Sequence, residues 1–410
     1  NEYVALHELN IFEDFSEFGA RLALENMPNL GNTSDELTLT SPEGMTISNV
    51  NYTSAWYQDS DKSDGGFSLE MISLDNYCQD VANWRASQSI LGGTPAKANE
   101  GHEAIIDQNP PKVLRAFPIS NTEIVVFFDK KLTANDAENI ANYTISSNIA
   151  VIDALLNDDL KSVELSLGSP LLDNEIYTIT IQNVADCRNN SPTDIQSIRV
   201  ALPTLATESD ILINEILFNP VAGGVDFLEL YNASDNVFNL KDLKIANTNG
   251  GQLQSFVEIE NDFLFFPNTY LVISENTIDI QNQYLNNLEE TIELGFLVEN
   301  DLPSFPDAEG GVIILNENSE TIDALEYDEN WHHPLLSDND GVSLERIQFD
   351  AETQNPNNWQ SAAATFGYAT PTYQNSQFLE NTTTSSDLIS LSKKTFSPDD
   401  DGFEDFLLIQ

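Results

Sequence analysis

Basic residues are scarce in this chain of 410 residues, which has 16 Lys and Arg against 67 Asp and Glu and a formal net charge of −51. A surface of that sign repels phosphate backbones, so we do not expect nucleic acid as a partner. Long apolar runs are also missing, since none approaches the ~18 residues of a membrane-spanning helix. The excess of acid favours cations or basic proteins as partners, and it also fits a role in solubility alone.

Cysteine and histidine are nearly absent. The two cysteines, Cys78 and Cys187, lie in different predicted domains, and two interpretations stay open: a disulfide that joins the domains, or two buried free thiols. The four histidines follow no Ser-His-Asp order, and no Gly-x-Ser-x-Gly motif occurs. We therefore expect no enzyme, no catalytic residue and no organic cofactor.

The sequence does contain an internal repeat. Three pairs of segments match at a constant separation of 275 positions: Tyr52–Trp56 with Tyr327–Trp331, Phe67–Ile72 with Val342–Ile347, and Asn83–Trp84 with Asn358–Trp359. Thr94 and Asn99 match Thr370 and Asn375 at 276 positions. The separation is too long for a solenoid and indicates a duplicated domain with another domain between the copies.

The second copy has an opening that the first lacks. It begins with Ile211–Ile216 and Asp226–Asn232, whereas the first copy starts near Tyr3, which corresponds to Tyr270. The chain also has no initiator Met and no signal peptide. We expect it to be a segment of a longer protein whose first repeat is truncated.

The region between the copies reads as short strands. It follows a stiff linker at Asn109–Pro111 and includes the apolar run Ile124–Phe128 and the alternating segments Val163–Leu167 and Tyr177–Ile181. No segment has a sustained helical stripe. The sequence predicts an all-β chain of tandem immunoglobulin-like β-sandwiches at 1–105, 106–205 and 206–376, a linker at 377–388, and the start of a C-terminal β-domain at 389–410.

The repeated segments resemble a known family. They are similar to the lamin tail domain, an immunoglobulin-like β-sandwich. The similarity lies in Ile213–Ile216 and Phe227–Asn232 and in the Trp and Ser-Leu-Glu elements that follow them. The likeness covers 209–376 and, as a truncated copy, 1–100. Bacterial members of that family occur in secreted, multidomain surface proteins.

The other regions also carry resemblances. The middle region resembles bacterial immunoglobulin-like modules of Bacteroidota at Asn142–Ile145 and Val184–Asn190. The C-terminal region resembles, at Phe396–Gly402, the opening of hook-capping-like domains or of the C-terminal sorting domains of type 9 secretion. These likenesses imply a secreted or outer-membrane-associated protein of the bacterial cell surface. They imply a non-enzymatic interaction or scaffold function toward other surface or outer-membrane proteins, within an export-associated assembly.

Two alternative functions stay open. The chain could be the accessory region of a secreted hydrolase whose catalytic domain lies outside these residues. It could instead be a carbohydrate-binding module, which would require an exposed aromatic platform. For calcium, the candidate ligands are Asp399, Asp401, Glu404 and Asp405, because a short Asp-rich turn supplies several oxygen ligands.

The repeated tryptophans and glutamates complete the candidate residues. Trp56, Trp84, Trp331 and Trp359 are predicted core anchors, with an aromatic ligand platform as the alternative. Glu70 and Glu345 follow an apolar residue on a strand, so their side chains are expected to point to solvent. Glu215 and Glu229 on the early strands of the second copy would extend such a polar surface.

Overall fold

A computed structural model describes residues 3–9, 19–44, 46–78, 81–103, 106–286 and 295–379. The chain divides into two compact units. Unit 1 contains residues 1–205, 235–242 and 260–267, and unit 2 contains 206–234, 243–259 and 268–410. The predicted C-terminal domain and the four candidate calcium ligands lie outside the described residues, as does the linker from residue 380 onward.

The first repeat forms three separate strand pairs in unit 1. Its strands are β1 (Val4–Glu8), β2 (Ala20–Leu24), β3 (Ser34–Thr40), β4 (Thr46–Thr53), β5 (Leu69–Met71) and β6 (Trp84–Ala86), with a single helical turn α1 (Ser60–Ser63). β1 and β2 are parallel, whereas β3 pairs with β4 and β5 with β6 in antiparallel register.

The middle region forms two facing sheets around one core. Its elements are β7 (Val113–Ser120), β8 (Glu123–Phe128), α2 (Ala134–Ala137), β9 (Tyr143–Ile145), β10 (Val151–Leu156), β11 (Ser162–Leu167), β12 (Tyr177–Ile181) and β13 (Gln196–Val200). The sheet orders are β10-β11-β8-β7 and β13-β12-β9. Alternate residues such as Val163, Leu165 and Ile179 are fully buried between them, as the two-residue periodicity predicts.

The regular elements of the rest of the described chain are again mostly strands. It comprises β14 (Ile211–Leu217), β15 (Phe227–Asn232), β16 (Phe238–Asn239), β17 (Leu243–Asn249), β18 (Gln252–Glu258), β19 (Leu264–Phe265), β20 (Tyr270–Ser274), α3 (Thr277–Ile280), β21 (Phe296–Glu299), β22 (Glu309–Asn316), β23 (Thr321–Asp328), β24 (Leu344–Arg346) and β25 (Trp359–Ser361). β16 and β19 pair with each other within unit 1.

In unit 2, one sheet has the order β21-β20-β15-β14-β24-β25 and the other the order β18-β17-β22-β23. The central strands β14 and β15 are buried along their whole length, because the second sheet covers one face and a later segment of the chain covers the other. The all-β prediction is confirmed. The domain boundaries stay predictions, and residues 1–205 fall within one compact unit.

Candidate functional site

Three glutamates lie side by side inside unit 2. Glu215 on β14 is directly opposite Glu229 on β15 and Glu345 on β24. Directly opposed residues of neighbouring strands project from the same face of a sheet. All three residues are fully buried, so the three strands carry a row of carboxyl groups, which we call the carboxyl row.

Hydroxyl, amide and backbone donors surround the carboxyl row. Glu215 accepts hydrogen bonds from the Ser343 hydroxyl, from the backbone N–H of Thr370 at 2.9 Å and from the Thr370 hydroxyl at 3.2 Å. Glu229 accepts from the Asn214 side-chain amide at 2.7 Å and from the Thr372 N–H at 2.5 Å. Glu345 accepts from the Thr370 hydroxyl at 2.7 Å, the Ser376 hydroxyl at 2.8 Å and the Gln377 N–H at 2.9 Å.

Burial and mutual repulsion raise the pKa values of the carboxyl row. Burial, followed by the charge of Glu345, raises the pKa of Glu215 to about 8. Burial and the charge of Glu215 raise the pKa of Glu229 well above its usual range, and burial also raises the pKa of Glu345. The row therefore retains protons at neutral pH, because three adjacent buried carboxylates cannot all ionise.

The segment 368–377 covers the carboxyl row, and Asn375 fastens it. The Asn375 side-chain amide donates to the backbone oxygen of Asn214 at 3.0 Å and to that of Arg346 at 2.9 Å. The Asn214 amide donates to the Asn375 side-chain oxygen at 2.6 Å. The register of β14 shifts between Ile213 and Glu215, which is a β-bulge at Asn214 that turns this side chain onto the face of the row.

The first repeat has the same arrangement around a single acid. Glu70 accepts hydrogen bonds from the hydroxyls of Ser68, Ser87 and Thr94 at 3.3, 2.9 and 2.6 Å. Asn99 donates to the backbone oxygen of Met71 at 2.8 Å, as Asn375 does to that of Arg346. The expectation that Glu70 and Glu345 point to solvent is wrong, because a later segment of the chain covers this face of each strand.

The geometry of the carboxyl row suits structural support. Its oxygens face hydroxyl and amide donors of the covering segment, so the acids hold that segment on the sheet. Within the described residues, no group of three or more His, Cys, Asp or Glu side chains is placed to hold a metal ion. The sequence predicted a polar surface shared by Glu215, Glu229 and Glu345 but placed it in solvent, whereas the structure buries all three.

The tryptophans divide into two classes. Trp56 and Trp359 are buried, and the indole N–H of Trp359 donates to the backbone oxygen of Thr353 at 2.7 Å. Trp84 and Trp331 are half-buried, which corrects their assignment as full core anchors. Trp84 packs against Trp56 with ring centroids 6.2 Å apart, and its remaining surface lines a cavity.

Trp331 lines a cavity of about 310 Å³ in unit 2. The other lining residues are mostly polar or acidic: Asn249, Gly250, Glu309, Gly310, Glu326, Tyr327 and Asp328. The Thr248 hydroxyl donates to Glu326, and the Tyr327 hydroxyl donates to the backbone oxygen of Pro306 at 3.0 Å. An aromatic face beside fixed oxygen acceptors matches the requirement of a polyhydroxylated ligand.

His332 lies in the interior next to this cavity. Its ring is 5.6 Å from that of Phe218 and within 3.0 Å of the Ser361 hydroxyl. Burial lowers the pKa of His332 to about 4, so the imidazole is neutral at physiological pH. It packs as part of the core, and the Ser361 hydroxyl is the hydrogen-bond partner of its Nδ1 atom.

Cys78 and Cys187 form a disulfide bond, with Cα atoms 5.6 Å apart. The sequence left open a disulfide or two buried free thiols, and the structure contains the disulfide. Lys131 reinforces it, because its N–H donates to the Cys78 oxygen at 3.1 Å and its own oxygen accepts from the Cys187 N–H at 2.8 Å. The bond links the first repeat to the middle region within unit 1.

No family model and no curated protein matches the chain. Among solved structures, the N-terminal part of the bacterial S-layer protein SbsC is similar at 14% identity and a TM-score of 0.22, over 53% of this chain and 43% of that one. A DUF4876 family protein from Bacteroides thetaiotaomicron is similar at 14% identity and a TM-score of 0.23, over 58% of this chain and 90% of that one. The chain spans less than half of the S-layer protein, and likenesses with such TM-scores carry no argument about function.

Proposed function

We propose that this chain is a non-enzymatic module of the bacterial cell surface that binds other surface or outer-membrane proteins as part of a scaffold. One observation carries the proposal: the buried acids, Glu70, Glu215, Glu229 and Glu345, accept hydrogen bonds from the segments that close over them. These buried carboxyl groups thus hold the strands and the covering segments together.

Three further features support a surface location. A disulfide persists in oxidising compartments and is rare in the cytosol. The net charge of −51 favours solubility and association with basic partners. The resemblances to lamin tails and to type 9 export domains belong to exported proteins of Bacteroidota. In the described residues, no helix has the length and apolar character to cross a membrane.

The experiment is a binding assay with fractionated cells of a bacterium that encodes the chain. The purified chain, biotinylated at one end, is titrated against outer-membrane and cytoplasmic fractions at physiological salt. Saturable binding confined to the outer-membrane fraction is expected, with bovine serum albumin as an acidic control protein. Equal binding to both fractions, or turnover of ester, peptide or nucleotide substrates by the chain alone, would contradict the proposal.

The cavity at Trp331 favours a second candidate function, which is carbohydrate binding. A half-buried indole beside Asn249, Glu309 and Asp328 provides a stacking face and hydrogen-bond acceptors. On a glycan array, the chain would bind a restricted set of glycans, and Trp331→Ala would abolish that binding. Phe256→Ala, a change of an exposed aromatic residue on β18, is the matched control; no glycan signal for the unaltered chain would exclude this candidate.

A further inference from the structure

The charged residues that line the cavity at Trp331 are all acidic. Glu309, Glu326 and Asp328 contribute to the lining, and no Lys or Arg does. The surrounding sequence offers no cation either, because neither Lys nor Arg occurs at positions 245–345. Within the described residues, none of the three acids forms an ion pair. A recess lined by one sign of charge attracts ions of the opposite sign.

The strand register places the three acids on one face at the end of a strand pair. Glu309 on β22 is directly opposite Asp328 on β23, and Glu326 is opposite Gly311. Alternate residues of a strand project to the same side, so the three carboxyl groups share a face. Glu326 accepts a hydrogen bond from the Thr248 hydroxyl. The exposed side chain of Glu309 has no hydrogen-bond partner in the described part of the chain.

Two glycines on β22 make room for the cavity lining. An added Cβ atom would lie 2.6 Å from the Tyr327 hydroxyl at Gly310, and 2.6 Å from a carboxylate oxygen of Glu326 at Gly311. A side chain at either position would therefore displace these groups. Glycine inside a strand often marks the close approach of another group. Here it allows Tyr327 and Glu326 to lie against β22, where both line the cavity.

The first repeat shows that the fold does not require the three acids. Its residues at the corresponding positions, 275 earlier in the sequence, are Ser34, Asn51 and Thr53. The register is the same, since Ser34 is opposite Thr53 and Asn51 is opposite Glu36. The acids that this strand pair does carry, Asp35 and Glu36, accept hydrogen bonds from backbone and amide groups of the first repeat. The acidic lining is therefore a property of the second repeat alone.

Repulsion between carboxylates extends from this lining into the neighbouring interior. Burial, followed by the charges of Asp307 and Glu275, raises the pKa of Asp226 to about 7. Burial and neighbouring acids, Asp226 among them, also raise the pKa of Tyr327, whose side chain lines the cavity. Shifts of this sign are those that a group of acids without a neutralising cation produces. A bound cation would relieve the repulsion.

The indole of Trp331 favours an organic cation as the ligand. Trp is the side chain that attracts a cation most strongly through its ring face. Among the described residues, no group of three or more His, Cys, Asp or Glu is placed to hold a metal ion. A guanidinium group is planar, carries five N–H donors and can stack on an indole while it bonds to carboxylates. The cavity volume of about 310 Å³ suits a single side chain, because it is at the low end of small-molecule sites, about 300–1,000 Å³.

We propose that the cavity at Trp331 binds an arginine side chain of a partner protein. The guanidinium group stacks on the indole and donates hydrogen bonds to Glu309 and Asp328, which are opposite each other across the strand pair. This inference rests on the proposed binding of surface proteins and names the chemistry by which a partner is recognised. A glycan in the same cavity is the competing outcome that the experiment separates.

Two short peptides test the proposal with the full chain. Acetyl-Gly-Arg-Gly-amide is compared with its citrulline analogue, in which a neutral urea group of the same shape replaces the guanidinium group. Isothermal titration calorimetry at physiological salt is expected to give one site per chain for the arginine peptide, with a Kd in the millimolar range. The citrulline peptide is expected to bind at least about tenfold more weakly. Equal affinities, or no saturable binding of the arginine peptide, would overturn the proposal.

Variants of the chain locate the site. The double variant Glu309→Gln/Asp328→Asn removes two charges with little change of shape and is expected to weaken binding of the arginine peptide by about tenfold or more. Glu317→Gln/Glu320→Gln is the matched control, because it removes the same charge from the exposed turn at the other end of β22 and β23. The control is expected to bind as the unaltered chain does. Equal weakening in both variants would show diffuse attraction to an acidic chain and end the proposal.

Trp331→Leu tests the indole with all charges in place. It is expected to weaken binding of the arginine peptide by about fivefold, and its melting curve shows whether the variant is folded. An unchanged affinity of the folded variant would contradict stacking on the indole. If a glycan found on the array competes with the arginine peptide and is lost in Trp331→Leu, the cavity takes a sugar and the arginine proposal fails.

The outer-membrane binding assay separates this inference from the scaffold function. Binding that is lost in Glu309→Gln/Asp328→Asn and kept in Glu317→Gln/Glu320→Gln supports an arginine of the partner as the ligand. If both variants bind the fraction as the unaltered chain does, the scaffold function stands and the arginine inference fails. If the unaltered chain does not bind the fraction, the scaffold function fails, and the peptide titration still decides the chemistry of the cavity.

Discussion

The side chain of Glu215 shows how one residue links sequence to stability. It lies on a strand whose other residues are mostly apolar, and it is fully buried between two further glutamates. Its ordinary pKa of 4.5 rises to about 8 in the folded chain, first because of burial. Between those two pH values the folded state binds a proton that the unfolded state has released, so the contribution of this group to stability falls as pH rises.

Glu215→Gln is expected to raise the melting temperature of unit 2 at pH 8 and to have little effect at pH 4.5. An amide imitates the protonated acid: its oxygen can accept from Ser343 and the Thr370 N–H, and it never ionises. The expected gain at pH 8 is on the order of 1 kcal/mol or more. Thermal unfolding across this pH range measures it, with exposed Glu317→Gln as the control; a destabilised variant at pH 8 would contradict the assignment.

The two tryptophans of the second repeat should differ in their effect on stability. Trp359 is 2% exposed and its indole is hydrogen-bonded, whereas Trp331 lies at a cavity. Trp359→Ala is expected to cost about 3–5 kcal/mol and Trp331→Ala clearly less. Urea unfolding of both variants measures the difference, and equal losses would show that Trp331 is a core anchor after all.

At the scale of structural elements, the covering segment 368–377 completes the second repeat. It has no regular strand, yet its threonines and Asn375 provide donors to three neighbouring strands. The counterpart in the first repeat, around Thr94 and Asn99, does the same for β5, where it donates to Glu70 and to the backbone oxygen of Met71. The segment is thus held by specific hydrogen bonds to buried acceptors, and such bonds are costly to break when one partner is left buried.

Asn375→Ala is expected to loosen this segment. The variant removes donors to the backbone oxygens of Asn214 and Arg346 and leaves both buried, which costs about 2–3 kcal/mol. Hydrogen exchange should accelerate in residues 368–377 before the rest of unit 2 unfolds. Exposed Asn318→Ala is the matched control, and unchanged protection of the segment in Asn375→Ala would refute its role as a fastener.

The same elements show what a sequence can predict here. The constant separation of the Trp and Ser-Leu-Glu motifs predicted the duplication, and alternation in Val163–Leu167 predicted strands, because both are local or repeated patterns. The orientation of Glu345 was predicted wrongly, since strand alternation tells only that Leu344 and Glu345 face opposite sides. Whether another segment covers the face that carries Glu345 depends on contacts between residues distant in sequence. Glu215, Glu229 and Thr370 are an example, because they come together only in the folded chain.

At the scale of the whole chain, one covalent link constrains unit 1. The disulfide closes a loop with a sequence separation of 109 residues between the first repeat and the middle region. The guanidinium of Arg188 next to it donates to the backbone oxygen of Asp75, and the Tyr77 hydroxyl donates to the Cys187 oxygen at 3.2 Å. A disulfide that closes a long loop reduces the conformational entropy of the unfolded chain more than one that closes a short loop. The bond between Cys78 and Cys187 is therefore expected to stabilise the folded state.

The double variant Cys78→Ala/Cys187→Ala is expected to lower the stability of unit 1 by about 4 kcal/mol. Differential scanning calorimetry with and without reductant measures this effect. The transition assigned to unit 2, which contains neither cysteine, serves as the internal control. If reductant leaves the unit 1 transition of the unaltered chain in place, the bond contributes little to stability.

The bond between Cys78 and Cys187 also affects how the chain responds to extracellular proteases. A cut anywhere between the two cysteines, which are 109 positions apart in sequence, breaks the polypeptide without separating the pieces. Both pieces remain covalently joined until a reductant arrives, so a nicked molecule migrates as one species on a nonreducing gel and as two on a reducing gel. A module displayed outside the cell would thereby survive a single backbone cleavage without shedding its N-terminal part.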